Sequence, residues 1–203
     1  NDSPEQYRRL VAEVFFGQKP KLLSQVEKWY TRLSTKFAKS DFDSLFKDVA
    51  TKESFPLHPI SLLCLPELCN RFGQNERTLF SFLTSNEPLS VRSFVESTAW
   101  NPNEDLPFVR LDHIYDYFIR SASNTVGSAE LASRLIEIET RVRDSQGLGT
   151  YREKVLKSVG VLNLVASGGT ARSSGDTLAL AMHDCLFDDV PARELREALL
   201  ELE

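Results

Sequence analysis

The chain is predicted to be all-α: an irregular multi-helix bundle that ends in a helix-turn-helix or winged-helix-like three-helix unit. Apolar residues recur at spacings of three and four along most of the 203 residues, the period of helices with one buried face. No convincing strand run, internal repeat or low-complexity tract interrupts the pattern. Within 55–94, Ile60, Leu62, Leu63, Cys64, Leu65 and Leu68 leave almost no solvent-facing side, and a soluble helix of that kind has to lie in the middle of a helical domain.

Ser3-Pro4-Glu5-Gln6 opens the first helix, with Ser at the cap, Pro at the first helical position and Gln three residues after the cap; Gly17 and Pro20 stop it. The next, from about 20 to 38, places Leu22, Val26, Trp29, Tyr30, Leu33 and Phe37 on one face. Its other side carries Lys21, Lys28, Arg32, Lys36 and Lys39, a basic stripe that suits phosphates or an acidic partner, although a solvated face is the favoured reading. Ser40 to Asp43 caps a short helix with Phe42, Leu45, Phe46 and Val49. Pro59 fits the first turn of the central helix, and Pro66 inside that helix is expected to kink or split it.

The polar joint Gly73-Gln74-Asn75-Glu76-Arg77 follows, then a helix lined by Leu79, Phe80, Phe82 and Leu83, and another with Ser90 as N-cap. A helix starting at Asp112 turns Ile114, Tyr115, Phe118 and Ile119 inward, and a longer one from Ser128 carries Leu131, Leu135, Ile136, Ile138 and Val142. Gly147 and Gly149 mark the boundary between a helical bundle, 1–148, built around 55–94, and a three-helix unit, 149–203. That unit is patterned by Tyr151 to Val165, by Leu178, Leu180 and Met182, and by Leu195, Leu199 and Leu202.

At 41% hydrophobic and 26% charged, the chain is an ordinary globular sequence with enough length for a core that needs no metal or disulfide. Its net charge of −5 argues against broad non-specific binding to nucleic acid. The apolar run at 60–65 is far short of the roughly 20 residues that span a bilayer. Three cysteines with no pairing pattern and a start without a signal-peptide profile point to the cytoplasm and away from membranes. A first residue other than Met and a last segment that reads as helix interior suggest a piece of a longer protein.

Catalytic and metal motifs are missing. No GxxxxGK is present, and the Gly-rich stretch 168–175 has no lysine to complete a phosphate cradle. Cys64, Cys69 and Cys185 lack zinc-site spacing, and His183 with Cys185 supplies two ligands at most. His58, between Leu57 and Pro59, reads as a packed histidine bonded to backbone, and Asp112, His113 and Asp116 read as acids gathered at a helix start. The fragment alone is therefore expected not to be an enzyme.

Phe55-Pro56-Leu57-His58-Pro59, Leu63 to Leu68 and, most specifically, Gln74 to Leu83 (QNERTLFSFL) resemble a block of large bacterial P-loop ATPases of the AAA+ or STAND-like kind, where it follows the nucleotide-binding core. Leu106 to Val109, Ile114 to Phe118 and Lys154 to Leu164 resemble the same family, so the likeness runs from Phe55 to the end. It implies a helical lid and winged-helix-like region whose Walker motifs, ATP and Mg²⁺ belong to another part of the parent protein, with no cofactor in this chain. Arg77 matches an arginine that starts a lid helix and reaches the nucleotide phosphates, for which a forked cation is suited; Asn75 and Glu76 would steady it or cap the helix. The other reading has Asn75 as cap and Arg77 paired to a local acid. The implied partner is the nucleotide-binding core of the parent chain, with homo-oligomerisation left open. The last helix, 192–203, carries Glu194, Glu197, Glu201 and Glu203 against Arg193 and Arg196, which favours protein docking over DNA. A nucleic-acid module using Lys21, Lys28, Arg32 and Lys36, and a plain interaction scaffold, are the alternatives.

Overall fold

The structure, a computed structural model, describes residues 4–15, 23–72, 77–99, 106–119, 129–145, 147, 149–166, 174–183 and 192–201. Among them are twelve α-helices and one π-helical turn, and the β-type pairing they contain is an isolated parallel bridge between Leu57 and Val109. The all-α prediction holds. None of the helices is long and apolar enough to cross a membrane among the described residues.

Helix α1 (Pro4–Phe15) buries Val11 and Ala12 against α4 and α5, and its predicted cap, Ser3, lies outside the described residues. Helix α2 (Leu23–Lys36) buries Val26, Trp29, Tyr30 and Leu33, the stripe its periodicity predicts. The segment expected to form one short helix forms two, α3 (Asp43–Lys47) and α4 (Val49–Glu53). They part at Asp48, whose extended backbone lets its carboxylate accept from Ala50 N–H at 3.0 Å and pair with Arg8 Nε at 2.6 Å. The N-cap of α3 is Phe42; Ser40, expected to cap it, accepts instead from Phe42 N–H in the turn before it.

Helix α5 (Pro59–Phe72) is the hub. Pro59, Ile60, Ser61, Leu62, Cys64, Leu65 and Leu68 are buried, Leu63 is half-buried, and the helix touches α1, α4, α6, α8, α10 and α11. Pro66 sits inside it without splitting it; the proline has no N–H for the Leu62 carbonyl, and its ring occupies a half-buried position. Helix α6 (Arg77–Thr84) packs Leu79, Phe82 and Leu83 inward, with the Phe82 ring 4.7 Å from Tyr117 and 5.2 Å from Phe118. Helix α7 (Val91–Ser97) has the predicted cap: Ser90 accepts from Ser93 N–H at 3.0 Å.

Helix α8 (Leu111–Ile114) runs directly into the π-helical turn Tyr115–Ile119. That wider turn keeps Ile114, Tyr115, Phe118 and Ile119 all buried. Helix α9 (Ala129–Asp144) buries Leu135 and Val142 and half-buries Leu131 and Ile138; Ile136, expected inside, is 63% exposed because it lies off that stripe. Gly147 and Gly149, with φ of +110° and +102°, turn the chain into α10 (Thr150–Ala166). Helix α10 packs on α5, α8 and α9 and also on α11 (Gly175–Ala181) and α12 (Ala192–Glu201). One hydrophobic core runs through the described residues from Val11 to Ala198.

The α9–α10 contact is tight at Gly160, where an added Cβ would stand 2.6 Å from Ile138 Cγ2. Gly160→Ala gains about 1 kcal/mol of helix propensity, but overpacking against a branched side chain costs about 1–3 kcal/mol. A net loss is expected in denaturant titrations, and a double-mutant cycle with Ile138→Ala should recover the overpacking part. An additive cycle would show that the two positions do not touch.

Candidate functional site

Three groups of residues are candidates for function, and they sit in different settings. At the joint, Asn75 and Glu76 lie outside the described residues, and Arg77 is the first residue of α6. Along α6, Leu79, Phe82 and Leu83 are buried and Phe80 is 43% exposed.

Of the basic stripe, Lys21 lies outside the described residues, while Lys28 and Lys36 are exposed on α2. Together with Ser24, Thr31 and Arg32 they border an open hollow of about 880 Å³, a surface trough more than an enclosed ligand site. Glu27 shares the face and lies 3.4 Å from Lys52. Arg32 is half-buried, with Nη2 3.1 Å from His183 Nε2.

That contact belongs to a polar line through the aromatic core that local periodicity does not signal. His58 is the residue before α5: its Nδ1 accepts from Ile60 N–H at 3.2 Å, and its Nε2–H donates to the His183 carbonyl at 3.3 Å. Both ring nitrogens are used by the neutral form, so the ring caps the hub helix and ties it to the end of α11, as a structural histidine. Burial pushes His58 down and the nearby Arg110 charge adds to this, against a smaller opposing effect of its backbone bond, leaving its pKa at about 3. Trp29 stands in the middle, its ring 5.7 Å from His58, 4.7 Å from Phe108 and 6.1 Å from His183.

The third group surrounds the π-helical turn. His113 Nε2–H donates to the Leu89 carbonyl at 2.8 Å, and Tyr117 Oη donates to Glu87 at 3.0 Å. Lys157 Nζ lies 2.9 Å from Asp116 and 2.7 Å from Glu153; burial lowers its pKa, but those two carboxylates outweigh burial and hold it above the usual lysine value. Asp112 lies 3.5 Å from Arg110. These side chains tie α8 to α10 and to the loop before α7.

Burial pushes the Cys64 thiol up to about 12, which leaves no thiolate for chemistry at neutral pH. Cys185 lies outside the described residues, and no group of three His, Cys, Asp or Glu that could hold a metal occurs among those described. What the fold and these groups define is an all-α domain with a polar line buried at its centre and basic residues exposed along α2. The chain matches no protein-family model, no curated protein and no solved structure.

Proposed function

We propose that the chain is a non-catalytic helical region of a larger bacterial P-loop ATPase, coupling nucleotide state to neighbouring domains or subunits. The feature that carries this reading is the QNERTLFSFL block, in which Arg77 is the first residue of α6. A guanidinium there suits phosphate oxygens supplied by the parent's nucleotide-binding core. The QNERTLFSFL block is where the resemblance to such ATPases is most specific.

The packing suits transmission. Phe82 and Leu83 fix α6 in the core, and α5 touches helices from both ends of the chain, so a displacement of α6 has no soft layer to absorb it and passes on as a rigid-body movement. The three helices α10 to α12 serve as the winged-helix-like docking part. The exposed residues of α12 include Arg196, Glu197 and Leu200, which fit a protein surface better than a phosphate backbone.

ATP binding and turnover by the longer protein, wild type against Arg77→Ala and Arg77→Lys, test the reading. Coupling free energies of this kind correspond to about 5- to 150-fold, and Arg77→Ala is expected to lose that much with Lys recovering only part. Denaturant unfolding of the same variants separates a lost sensor from a damaged fold. Unchanged ATPase behaviour in Arg77→Ala would remove the sensor.

A further inference from the structure

A cleft of about 330 Å³ opens between α2 and the elbow where α3 passes into α4, at the small end of the range for ligand pockets. Its floor is formed by Tyr30 and Phe46, both buried, with their rings 6.0 Å apart and edge to face. Tyr30 Oη donates to the Thr51 carbonyl at 3.0 Å, and burial with the nearby Asp48 charge holds its pKa above the ordinary tyrosine value. The phenol hydrogen therefore stays on that carbonyl, and the ring offers the cleft an apolar surface. Val49, 60% exposed, adds an aliphatic wall.

The charges around the cleft balance, with Glu27 and Asp48 against Lys47 and Lys52. Two of the four are engaged at short range: Asp48 accepts from Arg8 Nε at 2.6 Å and from Ala50 N–H at 3.0 Å, and Lys47 lies 2.6 Å from Asp43. The other two, Glu27 of α2 and Lys52 of α4, meet across the cleft at 3.4 Å, with side chains 55% and 33% exposed. A long, partly solvated pair of that kind contributes little to stability, so its ends are easily given to other partners. A lone anion on Lys52 would stand against Glu27, and a lone cation on Glu27 would stand against Lys52. A molecule that carries both signs side by side can insert between the two with charge-assisted hydrogen bonds to each.

We propose that this cleft binds a small zwitterion, a free amino acid with an aliphatic side chain, its ammonium on Glu27, its carboxylate on Lys52 and its side chain against Val49, Tyr30 and Phe46. The site stands independently of the ATPase reading.

NMR titration of the full chain near neutral pH with L-leucine, isocaproate and isoamylamine tests it. The last two carry the side chain of leucine with the carboxylate alone or the ammonium alone. Leucine is expected to shift the amides of Ser34, Val49 and Lys52 saturably and to bind about tenfold more tightly than either analogue, the effect of one charge-assisted hydrogen bond. Glu27→Gln is expected to level leucine with isocaproate, and Lys52→Met to level it with isoamylamine, selective losses that a mere change in packing would not produce. The spectra themselves report that each variant is folded. The proposal is overturned by the absence of saturable shifts at these amides up to about 10 mM leucine. It is equally overturned by analogues that bind as tightly as leucine, or by a leucine preference that both variants retain.

Discussion

Replacing Trp29 by alanine is expected to cost about 3–5 kcal/mol, the range for deleting a large buried aromatic, which is a large fraction of the total stability of a typical domain. The ring is fully buried and meets Tyr30, Phe46, His58, Phe108 and His183, so one deletion opens space against α2, α3, the start of α5, the segment before α8 and the end of α11 at once. These neighbours belong to segments far apart in sequence and cannot close over the hole by moving together. Trp29→Phe is expected to cost much less. The buried Nε1 makes no hydrogen bond among the described residues, so phenylalanine loses volume but no polar partner. Equilibrium unfolding in denaturant at neutral pH measures both. A loss below about 1 kcal/mol for Trp29→Ala would show that the indole is not the keystone that its contacts describe.

The indole also shows how far the sequence could be read. Its burial was legible because Val26, Trp29, Tyr30 and Leu33 keep a helical spacing, and the largely apolar character of 60–68 likewise placed α5 at the centre. Ser90 announced the cap of α7 by local chemistry alone. What stayed hidden depends on partners far along the chain. Arg32 repeats in step with Lys28 and Lys36 and so reads as part of a basic stripe, yet its guanidinium meets His183, 151 residues away. Asp48 breaks a helix in two by capping Ala50 while it pairs with Arg8, 40 residues earlier. The spacing of Ile114, Tyr115, Phe118 and Ile119 fits both an α-helix and the wider π-helical turn, and the sequence does not choose between them. The His58–His183 line joins groups 125 residues apart, so no local pattern could signal it.

That line makes the second large effect an acid one. His58 titrates at about 3 in the folded chain against about 6.5 when free, so below pH 6.5 the unfolded chain takes up a proton that the folded chain refuses. Stability is therefore full above pH 6.5 and is lost as the pH falls toward 3. The loss is about 1.4 kcal/mol per pH unit, hence about 2 kcal/mol by pH 5 and roughly 5 kcal/mol over the whole range. His113, also lowered by burial, acts in the same direction. Denaturant unfolding at a series of pH values from 7 to 5 reads the slope directly. His58→Gln keeps an acceptor for Ile60 N–H and a donor for the His183 carbonyl but cannot be protonated, so its stability at pH 7 drops modestly while its slope flattens by one proton. If the slope of His58→Gln equals that of the wild type, the folded chain is accepting the proton at His58, and the capping bond to Ile60 is not what fixes the charge state of the ring.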